Sequence, residues 1–212
     1  MLELGIKVLV SYLLGSLNGS LVIGRLYGVD IRAAGSGNPG GTNALRTQGK
    51  WFALLVMVID IGKGYVPAHF LPALALPGIP LDPEVSRTWL MLACAGASIA
   101  GHCYPVWFDF AGGKGAATTV GVLLAIAPVL LIPGAIVFAT VLIFSGYVGL
   151  ATMSSIIVLP VYLAATQFTQ SRSMVVFLMV LAAFIIFTHR SNIQRMRQGR
   201  ENRLESAMLL RR

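Results

Sequence analysis

The sequence predicts an all-α fold, a polytopic membrane helical bundle of about seven transmembrane helices with the N-terminus outside and the C-terminus cytoplasmic. Three observations predict it. Hydrophobic residues make up 56% of the chain and charged residues 11%, far from the roughly half-apolar, quarter-charged balance of soluble domains. Apolar stretches recur along all 212 residues without an internal repeat or a Pro- or Ser-rich linker, so a single integral membrane domain over 1–212 is expected. The cations gather in alternate connections, as the positive-inside rule requires.

The apolar segments cover 5–24, 51–72, 88–107, 116–131, 134–149, 152–167 and 174–188. A crossing takes about 20 residues, and several of these segments are shorter. The divisions at Pro133-Gly134 and near Gly149 are therefore the least fixed, and with five or six crossings some segments become re-entrant. The first segment, with Glu3 beside Lys7 and no clear small-x-small cleavage site, reads as a retained helix rather than a signal peptide. Arg32, Arg46 and Lys50 lie in the first connection, Lys114 in the third, and Arg190, Arg195, Arg197, Arg200 and Arg203 in the tail. Seven crossings put all of these on one face, and parity and charge are independent inputs. Cys94 and Cys103 have no metal-ligand spacing and support neither a disulfide framework nor a zinc site.

The first connection contains "GSGNPGGTNALR", residues 35–46, a literal G-x-G-x-x-G. That fingerprint has meaning only between a buried strand and a helix, and here a membrane helix precedes it. The underlying chemistry survives. Glycines such as Gly37 let backbone N–H groups face an anion, Ser36, Asn38, Thr42 and Asn43 add hydrogen-bonding side chains, and Arg46 supplies a fork for phosphate. A flexible turn would explain the glycines and Pro39, though not this density of Asn, Ser and Thr.

The third connection, "GHCYPVWFDFAGGKGAAT", ends in Gly112-Gly113-Lys114-Gly115 and opens an apolar helix. A lysine among glycines at a helix N-terminus suits an anion. It is no Walker A loop, because Gly115 follows the lysine and the earlier glycine is missing. His102 closes the preceding segment, where a structural histidine is the commoner outcome. In "DIGKG" Asp60 and Lys63 lie three apart on one helical face, a pairing that lowers the cost of holding both in the membrane and reads as a helix-positioning element. The tail "THRSNIQRMRQGRENRL" places His189 and Asn192 on one side of an emerging helix, with Glu201 beyond, and its arginines suit lipid headgroups. Three polar clusters are expected to converge at the cytoplasmic face.

The first connection with its lead-in "LGSLNGSLVIGRLYGVDIRAA", the third connection and the tail together resemble the bacterial membrane glycerol-3-phosphate acyltransferases that use acyl phosphate as donor. The likeness covers nearly the whole chain in three ordered motifs. It implies a seven-helix bundle in the bacterial cytoplasmic (inner) membrane, its active site facing the cytoplasm, that moves a fatty acyl group from acyl phosphate to glycerol 3-phosphate and yields lysophosphatidic acid. Carried over, Ser36, Gly37, Asn38, Thr42, Asn43 and Arg46 match the first motif, His102, Gly112, Gly113, Lys114 and Gly115 the second, and His189, Asn192 and Glu201 the third. Membrane lipid and an upstream soluble enzyme that makes acyl phosphate are the implied partners. Where the family often carries "RYVSLAS" this chain has "GYVGLAT", so Gly146 and Gly149 replace an arginine and a serine, and Thr152 keeps a hydroxyl. Ala111 stands where the family often has lysine.

Both substrates are phosphates, which Arg46 and Lys114 would hold together against their mutual repulsion, so positioning does much of the catalysis. The donor is a mixed anhydride, and the residual need is an oxyanion donor, for which Asn192 or Asn43 is suited. No histidine has an aspartate five residues on, so an H-x4-D base is not evident. His189 is expected to orient the acceptor hydroxyl, or a substrate phosphate oxygen to take the proton, with Thr152 a further candidate. No metal, cofactor or nucleic acid is expected. The rival reading, a transporter or channel for an organic phosphate, would favour duplicated halves and a midplane site.

Overall fold

The computed structural model describes residues 1–167 and 172–209, and among them every regular element is helical. The chain divides into two compact units, Met1–Ala127 and Pro128–Arg212.

In the first unit, α1 (Leu2–Gly15) and α2 (Gly19–Tyr27) form one apolar stretch bent by 45°. Asn18 makes the break, because its side-chain oxygen accepts the Leu21 N–H at 3.2 Å and so caps a new helix. After a 3-10 turn at Ile31–Ala33 come α3 (Gly41–Gln48), α4 (Lys50–Phe70), α5 (Arg87–Cys103) and α6 (Ala116–Ile126). α4 is the hub and packs against α1, α2, α3, α5 and α6. At its crossing with α6, a side-chain carbon on Gly64 would overlap the Thr118 carbonyl and one on Gly121 the Ile61 carbonyl. Small residues thus let the two backbones touch.

The polarity of α4 is that of a helix in lipid. Leu54, Leu55, Val58 and Val66 are exposed, whereas Asp60 and Lys63 are buried and paired at 2.9 Å. Water would favour the reverse arrangement, and hydrocarbon favours this one. Charges at the start of α1 follow the same rule. Lys7 donates to Glu3 Oε1 at 2.7 Å and to the Pro72 carbonyl at 3.2 Å, and Arg87 grips Glu3 with two bonds of 2.6 and 3.0 Å. The Asp82 N–H completes the knot on Glu3 Oε2 at 2.8 Å, tying the 71–86 connection to α1.

The second unit holds α7 (Leu131–Ser145), α8 (Val148–Gln167), α9 (Arg172–Thr188) and α10 (Arg190–Arg197). α8 packs on α7 and α9, and α10 on α8 and α9. A 53° bend separates α9 from α10.

The seven apolar segments all fall on helices, with corrected boundaries. The expected 116–131 segment stops at Ile126, since the Pro128 that follows disfavours helical backbone at Ala127. Pro133 instead sits in the first turn of α7, where a proline is tolerated. α7 and α8 part at Gly146, in the left-handed region at φ +73°, rather than near Gly149, which lies inside α8. Among the described residues four helical spans, Lys50–Phe70, Arg87–Phe108, Pro128–Ser145 and Val148–Thr166, are long and apolar enough to cross a membrane, and up to six if each bent pair is one span. α6 alone extends only about 16 Å at 1.5 Å per residue, short of the hydrocarbon core.

Candidate active site

The first unit carries both glycine loops. In the first, Asn43 is the organiser: its Oδ1 accepts the Ser36 N–H at 2.9 Å, and its Nδ2 donates to the carbonyls of Ile31 at 3.2 Å and Ala34 at 3.0 Å. Both amide hydrogens are committed to the loop, so Asn43 braces it. Arg32 is committed as well, in a forked pair with Asp30 that holds the Asp30 carboxyl below its usual range, through the guanidinium first and the Arg32 backbone N–H second. Arg46 projects from α3, exposed, one turn after Thr42 on the same face, while Ser36, Gly37 and Asn38 form the partly open rim that precedes it.

The second loop folds back on the end of α5. Phe108 and Phe110 donate to the Pro105 carbonyl at 3.1 and 3.0 Å, Gly112 N–H to Cys103 O at 3.2 Å and Gly113 N–H to His102 O at 3.1 Å. A side-chain carbon at Gly112 would overlap the His102 carbonyl, and one at Gly113 the His102 ring. Gly112 and Gly113 thus serve by having no side chain, and their amides face α5 instead of an anion. Gly115, at φ +88°, is the N-cap of α6, so half-buried Lys114 stands at that helix's N-terminus. The anion-attracting elements here are the ammonium and the helix end. His102 itself is only 3% exposed and underlies the loop.

The second unit carries the tail motif. His189 is the N-cap of α10, and its Nδ1 lies 2.8 Å from the Ile185 carbonyl. A carbonyl only accepts, so Nδ1 bears the hydrogen of this contact. Asn192 donates through Nδ2 to Glu201 Oε1 at 2.9 Å, and Arg195 Nε donates to Glu201 Oε2 at 2.7 Å. The Glu201 carboxylate, expected from the motif to meet substrate, here braces Asn192. Thr152 turns its hydroxyl to its own helix, donating to the Val148 carbonyl at 2.9 Å. Gly149 lies directly against Asn192: an added carbon would stand 2.9 Å from its Cγ and Nδ2. Gly146 accepts the Leu204 N–H at 2.8 Å through its carbonyl, with Met208 packed against it.

The bonds by which Asn43 braces the first loop and Glu201 holds Asn192 could not be read from the sequence, because they join residues whose approach is set by the fold.

Buried charges, lipid-facing apolar surfaces and polar motifs confined to helix ends define a multi-pass membrane protein. The chain belongs to the glycerol-3-phosphate acyltransferase family, whose model it matches over residues 5–199. It is 38% identical over 197 residues to the glycerol-3-phosphate acyltransferase of Aquifex aeolicus, with 92% of this chain and 96% of that protein covered. The fold is similar to the crystal structure of PlsY (YgiH), an integral membrane glycerol 3-phosphate acyltransferase, in its glycerol 3-phosphate form, with a TM-score of 0.81, 34% identity and 95% of each chain covered. To the lysophosphatidic acid form of PlsY the TM-score is 0.79, at 34% identity and 94% coverage of each chain. The chain is accordingly a membrane acyltransferase of this family.

Proposed function

We propose that the protein transfers a fatty acyl group from acyl phosphate to glycerol 3-phosphate, giving lysophosphatidic acid and inorganic phosphate, an early step of phospholipid synthesis. The reaction faces the cytoplasm at the bacterial inner membrane, with the N-terminus outside, the C-terminus inside, and an upstream soluble enzyme supplying acyl phosphate. The observation that carries this reading is Lys114, framed by Gly113 and Gly115 at the N-terminus of an apolar helix, in a chain whose structural relatives are the glycerol 3-phosphate and lysophosphatidic acid forms of a membrane acyltransferase.

The chemistry is acyl transfer from a mixed anhydride. A hydroxyl of glycerol 3-phosphate attacks the acyl carbon, an ester C–O bond forms, and the bond between the acyl carbon and the phosphate oxygen breaks. Arg46 and Lys114 neutralise the two phosphates, a service bidentate for arginine and point-like for lysine. Asn192, its orientation set by Glu201, donates to the developing oxyanion. His189 Nε2 accepts the hydrogen bond of the attacking hydroxyl, whose proton leaves with the phosphate product. Ser36, Asn38 and Thr42 hydrogen-bond substrate, and Thr152 offers an acceptor lone pair.

The test is transfer to radiolabelled glycerol 3-phosphate by the purified protein in lipid, with acyl phosphate, acyl-CoA and acyl carrier protein compared as donors and Lys114→Ala alongside. Lysophosphatidic acid from acyl phosphate alone, lost in the variant, is the expected result. Product from another donor overturns the donor assignment, and no product from a folded preparation overturns the reaction.

A further inference from the structure

The carboxylate of Asp60 is a meeting point for α2, α4 and α5. It is completely buried on α4. Its Oδ1 accepts the Gly19 N–H, the first residue of α2, at 2.9 Å, and the Lys63 ammonium at 2.9 Å, and stands 3.5 Å from Nδ1 of His102 at the end of α5. Lys63 donates in turn to the Leu17 carbonyl at 3.2 Å, on the other side of the break between α1 and α2. The pair therefore clamps that break and abuts the ring on which the second loop rests.

Both links run on to the polar motifs. α2 leads to the first loop through a shared core of Ile23, Ile31, Ala44, Phe52 and Val56, so its start sets where that loop begins. His102 takes the Gly113 N–H on its carbonyl, and its ring leaves no room for a side chain at Gly113. The neighbourhood is poorly compensated for a purely stabilising device. Asp60 Oδ2, His102 Nδ1, Asn18 Nδ2 and the hydroxyls of Ser20, Thr118 and Thr119 are buried without a hydrogen-bond partner among the described residues. Such groups cost stability, and apolar residues of similar volume would often serve a helix contact better.

We propose that Asp60 is a positioning residue: through Gly19 and His102 it sets the placement of both glycine loops, and Lys63 is its counter-ion. The kinetic part of this inference rests on the acyl-transfer reading; the structural part does not.

The test uses the full chain in lipid, with Asp60→Asn, the charge-balanced Asp60→Asn/Lys63→Gln and His102→Gln. The charge-balanced variant is expected to fold with near-native thermal melting and to turn over about tenfold to a hundredfold more slowly, the scale of a misplaced catalytic group. Combined with His102→Gln it should lose less than the product of the separate effects, because the residues act in series. Amide hydrogen exchange at Gly112–Gly115 should rise about tenfold while Leu131–Ser145 stays unchanged, which marks a local opening. Unchanged exchange at Gly112–Gly115, a uniform rise in both segments, or failure of the charge-balanced variant to fold would each overturn the proposal in favour of a structural pair. A wild-type protein that transfers no acyl group defeats the proposed function alone, because the exchange comparison still decides this one.

Discussion

Glu201 holds Asn192 in place: Oε1 accepts the Asn192 amide at 2.9 Å while Oε2 accepts from Arg195 at 2.7 Å. An amide held by a carboxylate has one rotamer and one assignment of its oxygen and nitrogen. Glu201→Ala frees that amide, and a lost charge-assisted hydrogen bond of about 1.5–3 kcal/mol should lower turnover by roughly tenfold to a hundredfold. Steady-state rates with Asn192→Ala and the double variant decide the matter: the double variant should be no worse than Asn192→Ala.

Gly149 stands against the same side chain. A serine here places a carbon 2.9 Å from Asn192 Cγ and Nδ2, so Gly149→Ser is expected to displace the amide and slow acyl transfer about tenfold, the cost of a small misplacement. Equal rates in wild type and variant would show that Asn192 gives way freely.

Gly113 makes a sharper case. Any side chain at this position meets the His102 ring, which is buried and backed by α4. Gly113→Ala should abolish most acyl transfer with helical content, read by circular dichroism, intact. Ala111→Lys, at an exposed position of the same loop, should fold normally and lower the KM for a phosphate substrate.

The knot around Glu3 predicts the opposite pattern. Glu3→Gln leaves the ammonium of Lys7 buried with a weakened partner and releases Arg87, an imbalance that destabilises. Thermal melting should fall by several degrees, and the rate per folded molecule should hold.

Asp30 sets a pH dependence outside the membrane segments. Its carboxyl is lowered by Arg32, so its contribution to loop order is complete above the ordinary aspartate pKa of about 4. That contribution is lost as pH falls through the lowered value. Hydrogen exchange over 30–37 should rise only in strong acid, and Asp30→Asn should remove the transition.

The paired charges in "DIGKG" were legible because spacing alone puts Asp60 and Lys63 on one helical face, and the 2.9 Å pair follows. The helix beginning after Gly115 was legible from a glycine nest opening an apolar run. The bend at Asn18 was not, because a cap in a continuous apolar stretch looks like one more polar residue until its side chain turns back to the backbone. Nor was the boundary at Gly146, where the left-handed conformation, set by the chain that follows, ends α7.

By itself the sequence determined that the chain lives in a bilayer, which apolar segments are helical, and which polar residues had to be explained, since composition and period depend only on the order of side chains. The tertiary structure decided what those residues do. Asn43 and Glu201 became braces, Gly112 and Gly113 became clearances for His102, and Asp60 became the junction of α2, α4 and α5. A hydrogen bond is directional and effective only over about 3 Å, and which partners come that close is settled by packing between segments far apart in the chain.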